Sequence, residues 1–411
     1  MTETIVKDVV LKLDNSNFSK YSENAKTAVE AIKARAGKKG QFLNWIGVLG
    51  ETQLKNIDNL YDLANKARDN KYTDLAILGI GGSRHTTESL IREIGKEANV
   101  HFYSSVDSES FRRFINTLDL SKTQFLVVSK SGGTIETTVA YENAKKVMQE
   151  YLERNDVSDR FIAMTDVSAE KSNLRRMVNA GDIKLSGLVH DDVGGRFSIF
   201  DDATIFTLAY VGVAKEDVVA MLNASLEAQK EYLNPNINEN IALQQAIFNV
   251  EAKEAGKQRH FVEYFGDAFM GTTLWEKQLK NESLKARIST DTNVGPGYLH
   301  YNAEADLDSA NKDSFFTFVY VTPQEKVTKA VLTGVVSAYS NMHPVSVVEL
   351  KDLSLTTLAK FIEFKHFETL FTGNILRQLE GNITSEDVAF PEVLQPNVEI
   401  YKKEVRKAMA E

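Results

Sequence analysis

Two short apolar runs, each breaking into glycine and hydroxyl residues, constrain the fold of this chain more than any other feature. The first run covers residues 75–83 and reads LAILGIGGS, and the second covers residues 125–138 and reads FLVVSKSGGTIETT. Nearly continuous apolar runs are typical of strands in a parallel sheet that helices cover on both faces. The glycines let backbone N–H groups approach a ligand, and a helix after each turn adds the positive end of its dipole. Each run therefore indicates a strand, a candidate anion site and a helix.

We expect the two turns to lie side by side. In a parallel α/β sheet, ligands bind in the crevice outside the carboxyl ends of the strands. Neither turn matches a nucleotide motif, because Arg84 stands where the dinucleotide fingerprint has its third glycine and no P-loop sequence occurs. The crevice is thus expected to take one small phosphorylated molecule. For either turn alone, an ordinary strand–turn–helix junction with capping residues is the alternative.

Length, charge and cysteine usage exclude several classes of protein. A chain of 411 residues allows one large domain or two to three ordinary ones. The absence of cysteine excludes disulfides, thiolate catalysis and sulfur ligands to a metal. A net charge of -9 argues against a general nucleic-acid partner. The first residues lack the pattern of a signal peptide, and no apolar run approaches the ~20 residues of a membrane span. We predict a soluble, cytoplasmic protein with no membrane partner.

Periodicity along the chain predicts an α/β protein with helical ends. Residues 1–70 show helical spacing and are expected to form an N-terminal helical arm. Strands alternate with helices over 71–200 and again over 256–385, with a helical connector over 201–255. Residues 386–411 end in a basic helix. Such alternation favours two subdomains, each a parallel sheet flanked by helices.

Three further segments hold side chains that could do chemistry. LWEKQLKNES is expected to place Glu276, Gln278 and Glu282 near the start of a helix, although a solvated surface is the ordinary place for a glutamate. Arg196 follows paired glycines in DVGGRFSIF and could stabilise an oxyanion or form only a salt bridge. His300 follows a proline–glycine turn and is expected near a loop, with a surface histidine as the alternative.

The residues by themselves indicate no metal site. The chain has no H-E-x-x-H pattern, and no two histidines are spaced by one helical turn with a carboxylate nearby. The pattern therefore predicts a phosphate-binding α/β protein with a candidate acid/base glutamate, and it leaves the reaction open.

In their order along the chain, these segments resemble the motifs of the glucose-6-phosphate isomerase family, most of all its compact bacterial members. GIGGS resembles the first phosphate loop of that family, and SKSGGTIET resembles the second. VGGRFS resembles the segment with the family's arginine, QLKNES the stretch with its catalytic glutamate, and YLH the segment with its catalytic histidine. QPNVEIYKK, over 395–403, resembles the C-terminal stretch with the catalytic lysine.

The resemblance implies a reaction and a role for each matching residue. The reaction is the reversible isomerisation of glucose 6-phosphate to fructose 6-phosphate through ring opening and a cis-enediol, a step of glycolysis and gluconeogenesis. Glu282 would move the proton between C2 and C1, Arg196 would offset the charge of the enediolate, and His300 and Lys402 would assist ring opening. The other matching residues would bind the substrate: Gly82, Ser83, Ser129, Lys130, Ser131, Thr134, Glu136, Gln278 and Gln395.

The resemblance also implies two sugar-isomerase (SIS) domains, a homodimer with a shared active site, and no metal or organic cofactor. Two alternatives stay open. One keeps the fold and takes another hexose phosphate or an amino-sugar phosphate. The other is a sugar-phosphate sensor without catalysis, which would need only the serine–threonine loop.

Overall fold

The computed structural model of the chain describes residues 1–6, 8–13, 16–382 and 390–410. The predicted start of the C-terminal segment at residue 386 lies outside these ranges. Within them, two sheets are formed by eleven strands: β1 (Thr2–Val6), β2 (Val9–Leu13), β3 (Asp74–Leu78), β4 (Val100–Tyr103), β5 (Thr123–Val128), β6 (Phe161–Thr165), β7 (Leu185–Leu188), β8 (Arg259–Phe265), β9 (Ser289–Val294), β10 (Ser314–Val321) and β11 (Val345–Leu350).

Helices cover both sheets and join them. In the described ranges they are α1 (Ser22–Lys33), α2 (Gly50–Arg68), α3 (Gly82–Glu93), α4 (Ser108–Asn116), α5 (Ile135–Leu152), α6 (Asn173–Ala180), α7 (Asp202–Tyr210), α8 (Lys215–Tyr232), α9 (Ile241–Glu254), α10 (Met270–Leu284), α11 (Pro296–Asp306), α12 (Lys326–Ser340), α13 (Leu355–Leu379) and α14 (Val398–Ala410).

The first sheet is entirely parallel and has the order β4-β3-β5-β6-β7. The chain passes from β3 to β4 on one side and then returns to β5 on the other, so the strand order reverses between β3 and β5. Every residue of β5 and β6 is buried, as expected for strands with helices on both faces. This reversal is the point where α/β sheets bind their ligands.

The second sheet has the order β1-β2-β11-β10-β8-β9. Its strands β8 to β11 are parallel, as the second strand–helix alternation predicts. The strand β2 then pairs antiparallel with β11, and β1 pairs antiparallel with β2. The predicted class, an α/β protein with parallel sheets between helices, is confirmed.

The expected helical character of the first residues is wrong for residues 2–6 and 9–13, which form the antiparallel strands β1 and β2. Buried side chains alternate with half-exposed ones along β2, and Val9, Leu11 and Leu13 face the core. A period of two is the pattern of a half-buried strand. The edge of β11 presents backbone N–H and C=O groups that need partners, and β2 supplies them.

The helix α13 is buried among other helices. It is 25 residues long and buried along nearly its whole length, and α8, α9 and α10 pack around it. A helix that is buried on all sides belongs in the interior of a large protein. The expected helical connector corresponds to α7, α8 and α9, whereas the exact division into subdomains stays a prediction. None of the helices in the described ranges is both long enough and apolar enough to cross a bilayer.

Candidate active site

The carboxyl ends of β3 and β5 open into one cavity of about 420 Å³. The turn GIGGS follows β3, and the turn SKSGGT follows β5. The two strands are direct neighbours in the sheet, so that their ends meet at the same edge. The cavity is lined by Ile80, Ser83, Ser129, Lys130, Ser131, Thr134, Thr137, Asp166, Lys171 and Asp191. The structure therefore brings five of the predicted binding residues into one site.

The second turn is held in a tight conformation that requires glycine at one position. Gly132 has φ 63°, and a Cβ there would lie 2.3 Å from the backbone nitrogen of Leu174. The Gly132 N–H donates to Ser129 Oγ at 3.0 Å, and the Gly133 N–H donates to Ser131 Oγ at 3.2 Å. Since α5 begins at Ile135, the turn leads directly into a helix N-terminus, where the dipole favours an anion.

The first turn contacts the segments that carry the predicted chemistry. A Cβ on Gly81 would lie 2.9 Å from Gln278 Nε2, and a Cβ on Gly82 would lie 2.2 Å from the carbonyl of Gly195. Gly82 thus packs against the backbone that leads to Arg196, and its part in substrate binding stays a prediction. Because of these contacts, GIGGS joins the cavity at the ends of β3 and β5 to the cluster around Arg196.

Arg196 is buried, with 1% of its surface exposed, and its guanidinium holds several acceptors together. Its Nε donates to Ser283 Oγ at 3.0 Å, and its Nη2 donates to the carbonyl oxygen of Glu392 at 2.6 Å. Its Nη1 donates to Glu282 Oε2 at 3.0 Å and to Gln395 Oε1 at 3.4 Å. Burial lowers the pKa of Arg196 to about 10, which still leaves it a cation at neutral pH.

Glu282 is held at both of its carboxylate oxygens. Arg196 donates to Oε2, and the side-chain amide of Gln278 donates to Oε1 at 3.0 Å. The side chain of Glu282 keeps 22% of its surface exposed. An oriented carboxylate that remains accessible is suited to take and return a proton.

The helix that carries Glu282 differs from the expectation in two ways. Glu276 lies at the middle of α10, and Gln278 and Glu282 lie in its second half, so none of them is near its start. Glu276 is fully buried, where Lys365 Nζ lies 2.8 Å from its Oε1 and the Tyr264 hydroxyl donates to its Oε2. Burial raises the pKa of Glu276, but the buried lysines beside it outweigh that effect, and the net pKa is lowered. A solvated surface is therefore the wrong interpretation for Glu276.

The C-terminal residues lie beside the same turns. A second cavity of about 320 Å³ lies between α14 and the start of α5, and both Glu136 and Lys402 line it, together with Ser131 and Thr134. Lys402 Nζ forms an ion pair with Glu399 Oε1 at 2.8 Å. The structure thus places Lys402 and Glu136 next to the turn that follows β5.

His300 is not among the residues that line these two cavities. It is exposed on α11, a helix that begins at Pro296, and so it lies within a helix and not in a loop. The described hydrogen bonds therefore unite Arg196, Gln278, Glu282 and Gln395 in one cluster and leave His300 apart from it.

Sequence reasoning missed several residues of the site. Lys171, Asp166 and Asp191 line the cavity at the ends of β3 and β5, and Ser283 orients Arg196. Asp191 stands shortly before the recognised VGGRFS segment, and that proximity is a signal that it lies near the site. Lys171 has no such signal, because its loop after β6 matches no motif.

Comparison with known proteins identifies the family. A family model described as phosphoglucose isomerase matches residues 64–302, more than half of the chain. The chain belongs to the phosphoglucose isomerase family. A glucose-6-phosphate isomerase of Clostridium novyi is 23% identical to it over an alignment of 416 residues in length. The alignment covers 92% of this chain and 88% of that protein. The predicted family and the predicted class of enzyme, a glucose 6-phosphate isomerase, are confirmed.

Solved structures show the same fold. A hypothetical protein of Thermus thermophilus superposes with a TM-score of 0.82 at 21% identity, covering 98% of this chain and all (100%) of that one. A glucose-6-phosphate isomerase of Chlamydia trachomatis superposes with a TM-score of 0.78 at 15% identity, covering 99% of this chain and 89% of that one. The fold that this chain shares with these structures therefore extends over nearly all of it.

Proposed function

We propose that this member of the family isomerises glucose 6-phosphate to fructose 6-phosphate with the phosphate in the cavity between β3 and β5 and with Glu282 as the acid/base group. One observation carries the proposal: the loop GIGGS contacts both the phosphate cavity and the cluster of Arg196, Gln278 and Glu282. A substrate with a phosphate at one end and a carbonyl at the other spans such a site.

Neutral donors and helix termini contribute to binding the phosphate end. Hydroxyl groups of Ser83, Ser129, Ser131 and Thr134 line the cavity, and the N-termini of α3 and α5 adjoin it. Hydroxyls and free backbone N–H groups at helix N-termini are suited to a phosphate. We assign the backbone of Lys130 to the same task, as the resemblance implies.

The reacting end lies at Glu282. Its carboxylate takes the proton from C2 of the open-chain aldose, and the electrons of that C–H bond form the enediolate with its charge on O1. A proton passes from the C2 hydroxyl to O1, and the carboxylate returns its own proton to C1, which leaves the carbonyl at C2. The guanidinium of Arg196 faces the same carboxylate and is shielded from water, so its charge acts strongly on a developing oxyanion. Gln278 holds Glu282 in place, and Gln395 extends the set of polar groups around Arg196.

Ring opening, assembly and location rest on the resemblance. We assign ring opening to Lys402, which lies beside the phosphate turn, and to His300. His300 is exposed on the single chain, which agrees with a homodimer in which each chain supplies a histidine to the other's site. The homodimer and the cytoplasmic location stay predictions.

The test is the coupled oxidation of the glucose 6-phosphate formed from fructose 6-phosphate, followed on the purified chain and its variants. We expect Glu282→Gln to lower kcat by about a hundred- to ten-thousandfold, because the amide cannot accept the proton. Binding of inorganic phosphate should be unchanged, since Glu282 does not line the phosphate cavity. Glu216→Gln, which changes an exposed glutamate of α8, is the matched control and should retain full activity.

Near-normal turnover by Glu282→Gln would show that another group is the base. Faster turnover of mannose 6-phosphate or glucosamine 6-phosphate than of glucose 6-phosphate would favour the other substrate classes. Phosphate binding without any turnover would favour the sensor.

A further inference from the structure

A carboxylate bridges two lysines at the edge of the phosphate cavity. Lys130 Nζ lies 3.1 Å from Asp191 Oδ1, and Lys171 Nζ lies 3.1 Å from Asp191 Oδ2. All three residues line the cavity together with the serine and threonine hydroxyls. The three come from different loops, after β5, β6 and β7, and the parallel order of these strands brings them together.

The backbone on both sides of Asp191 is anchored. The N–H of His190 donates to Asp201 Oδ2 at 3.2 Å, and the His190 ring pairs through Nδ1 with Asp201 Oδ1. On the other side, Asp192 has φ 55°, and its Oδ1 accepts the N–H of Gly40 at 2.9 Å. The position of Asp191 over the cavity is therefore set by its neighbours and not by its two lysines alone.

The charges around the cavity cancel while this bridge is present. Two lysines, Lys130 and Lys171, face two aspartates, Asp166 and Asp191, among the lining residues. Burial raises the pKa of Asp191, but the two lysines outweigh it and the net pKa is lowered, so the carboxylate is charged at neutral pH. A phosphate monoester carries a charge of about −1.5 to −2 at that pH. Asp191 and such an anion would repel each other at close range.

We propose that the Asp191 carboxylate and the phosphate of the substrate compete for the ammonium groups of Lys130 and Lys171. The lysines pass from the carboxylate to the phosphate when the anion binds and return when it leaves. Lys171 thereby becomes a phosphate ligand, and Asp191 becomes a residue that weakens binding and favours release. The inference rests on the proposed function for the identity of the sugar phosphate, but its anion chemistry can be tested separately.

The exposure of the bridge makes such an exchange feasible. The side chains of Lys130, Asp191 and Lys171 are 37%, 51% and 62% exposed. Ion pairs with this much exposure are weak, because water competes for both partners. A doubly charged phosphate that also receives hydrogen bonds from the turn offers each lysine a stronger partner.

Inorganic phosphate is the probe, and its dissociation constant is measured on the full-length chain by calorimetric titration at low ionic strength. We expect Asp191→Asn to bind phosphate about three- to tenfold more tightly, because it removes one competing charge. Lys171→Gln should bind phosphate about three- to tenfold more weakly. Asp192→Asn is the matched control, because it makes the same change of charge one residue away, retains an oxygen for Gly40 and should bind like the unchanged protein.

Equal or weaker phosphate binding by Asp191→Asn would overturn the inference, since it would mean that Asp191 serves only to orient the lysines. Unchanged binding by Lys171→Gln would overturn it as well. The KM for fructose 6-phosphate should follow the same order as the dissociation constants. If the chain shows no isomerase activity while the phosphate constants follow this order, the proposed function fails and the competition stands. If the isomerase is active and the constants do not differ, the competition fails alone.

Discussion

Glu93 is a buried acid that links the two helices of the active site, and it permits a quantitative test. It is the last residue of α3, the helix that starts in the GIGGS turn, and only 4% of its surface is exposed. The hydroxyl of Thr272, on α10, donates to its Oε1. Burial raises the pKa of Glu93 from 4.5 to about 8, and the Thr272 hydrogen bond offsets only part of this. The folded chain therefore holds Glu93 protonated at neutral pH.

The raised pKa makes stability depend on pH with a defined sign. The protonated acid contributes its full stability below pH 4.5, and this contribution is lost as the pH rises towards about 8. Each pH unit in that window corresponds to about 1.4 kcal/mol, so the whole loss is on the order of 5 kcal/mol. Glu93→Gln cannot ionise and lacks this loss. Its additional amide N–H group costs about 1–3 kcal/mol at every pH, because it is buried without a partner.

The measurement is urea denaturation of the unchanged chain and of Glu93→Gln at pH 5, 6, 7 and 8. We expect the variant to be the less stable protein at pH 5. The difference in free energy of unfolding should then shift in its favour by about 1.4 kcal/mol per pH unit and reverse below pH 8. Other titrating groups contribute equally to the free energy of unfolding of both proteins, provided that the substitution does not change their pKa values. Their contributions therefore cancel in the difference at each pH.

Glu88→Gln provides the control on the same helix. Burial raises the pKa of Glu88, but Arg84 and Arg92 outweigh it and the net pKa is lowered. Its contribution to stability is thus present above its ordinary pKa and is lost only at more acid pH, so the effect of Glu88→Gln should be constant from pH 5 to 8. A constant difference for Glu93→Gln over this range would refute the reasoning, because it would mean that Glu93 is ionised in the folded chain.

Two further predictions concern the contacts of the site. Gly82→Ala should lower the free energy of unfolding by about 3 kcal/mol or more, because its Cβ would lie 2.2 Å from the carbonyl of Gly195, and thermal unfolding measures the loss. Gly195→Ala is its control, since that Cβ meets only the Cα of Gly82 at 3.9 Å, and a similar loss in both variants would contradict the argument. Arg196→Lys should lower kcat about a hundred- to thousandfold in the coupled assay, because one ammonium group cannot contact both Glu282 and Ser283 as the guanidinium does. Full activity of that variant would exclude a role for the arginine in the reaction.

Local pattern was sufficient for the strands and turns of the first sheet. The apolar runs predict β3 and β5, and the glycines predict the tight turns, because both depend on properties of a few consecutive residues. The N-terminal hairpin shows the opposite case. The strand β2 exists because it completes the edge of β11, which lies far along the chain, and no local pattern records that partner.

For the glutamates of α10, the motif and the structure provide different information. Glu276 and Glu282 lie on one helix, and side-chain chemistry alone cannot distinguish them. The motif QLKNES singles out Glu282. The structure gives the physical difference, because Glu276 meets Lys365 in the interior, whereas Glu282 meets Arg196 at the border of the site.

The sequence by itself determined the class of fold, the two glycine-rich turns after β3 and β5 and, through the order of the motifs, the family and its reaction. These features depend on short segments. The backbone conformation that such a segment requires, and the types of its side chains, can be recognised from a few consecutive residues. Only the tertiary structure decided which charges face each other: Glu93 is enclosed between α3 and α10, and Lys130, Asp191 and Lys171 meet at one cavity. Coulomb energy and desolvation depend on distance and burial in space, and strands from separate parts of the chain set both.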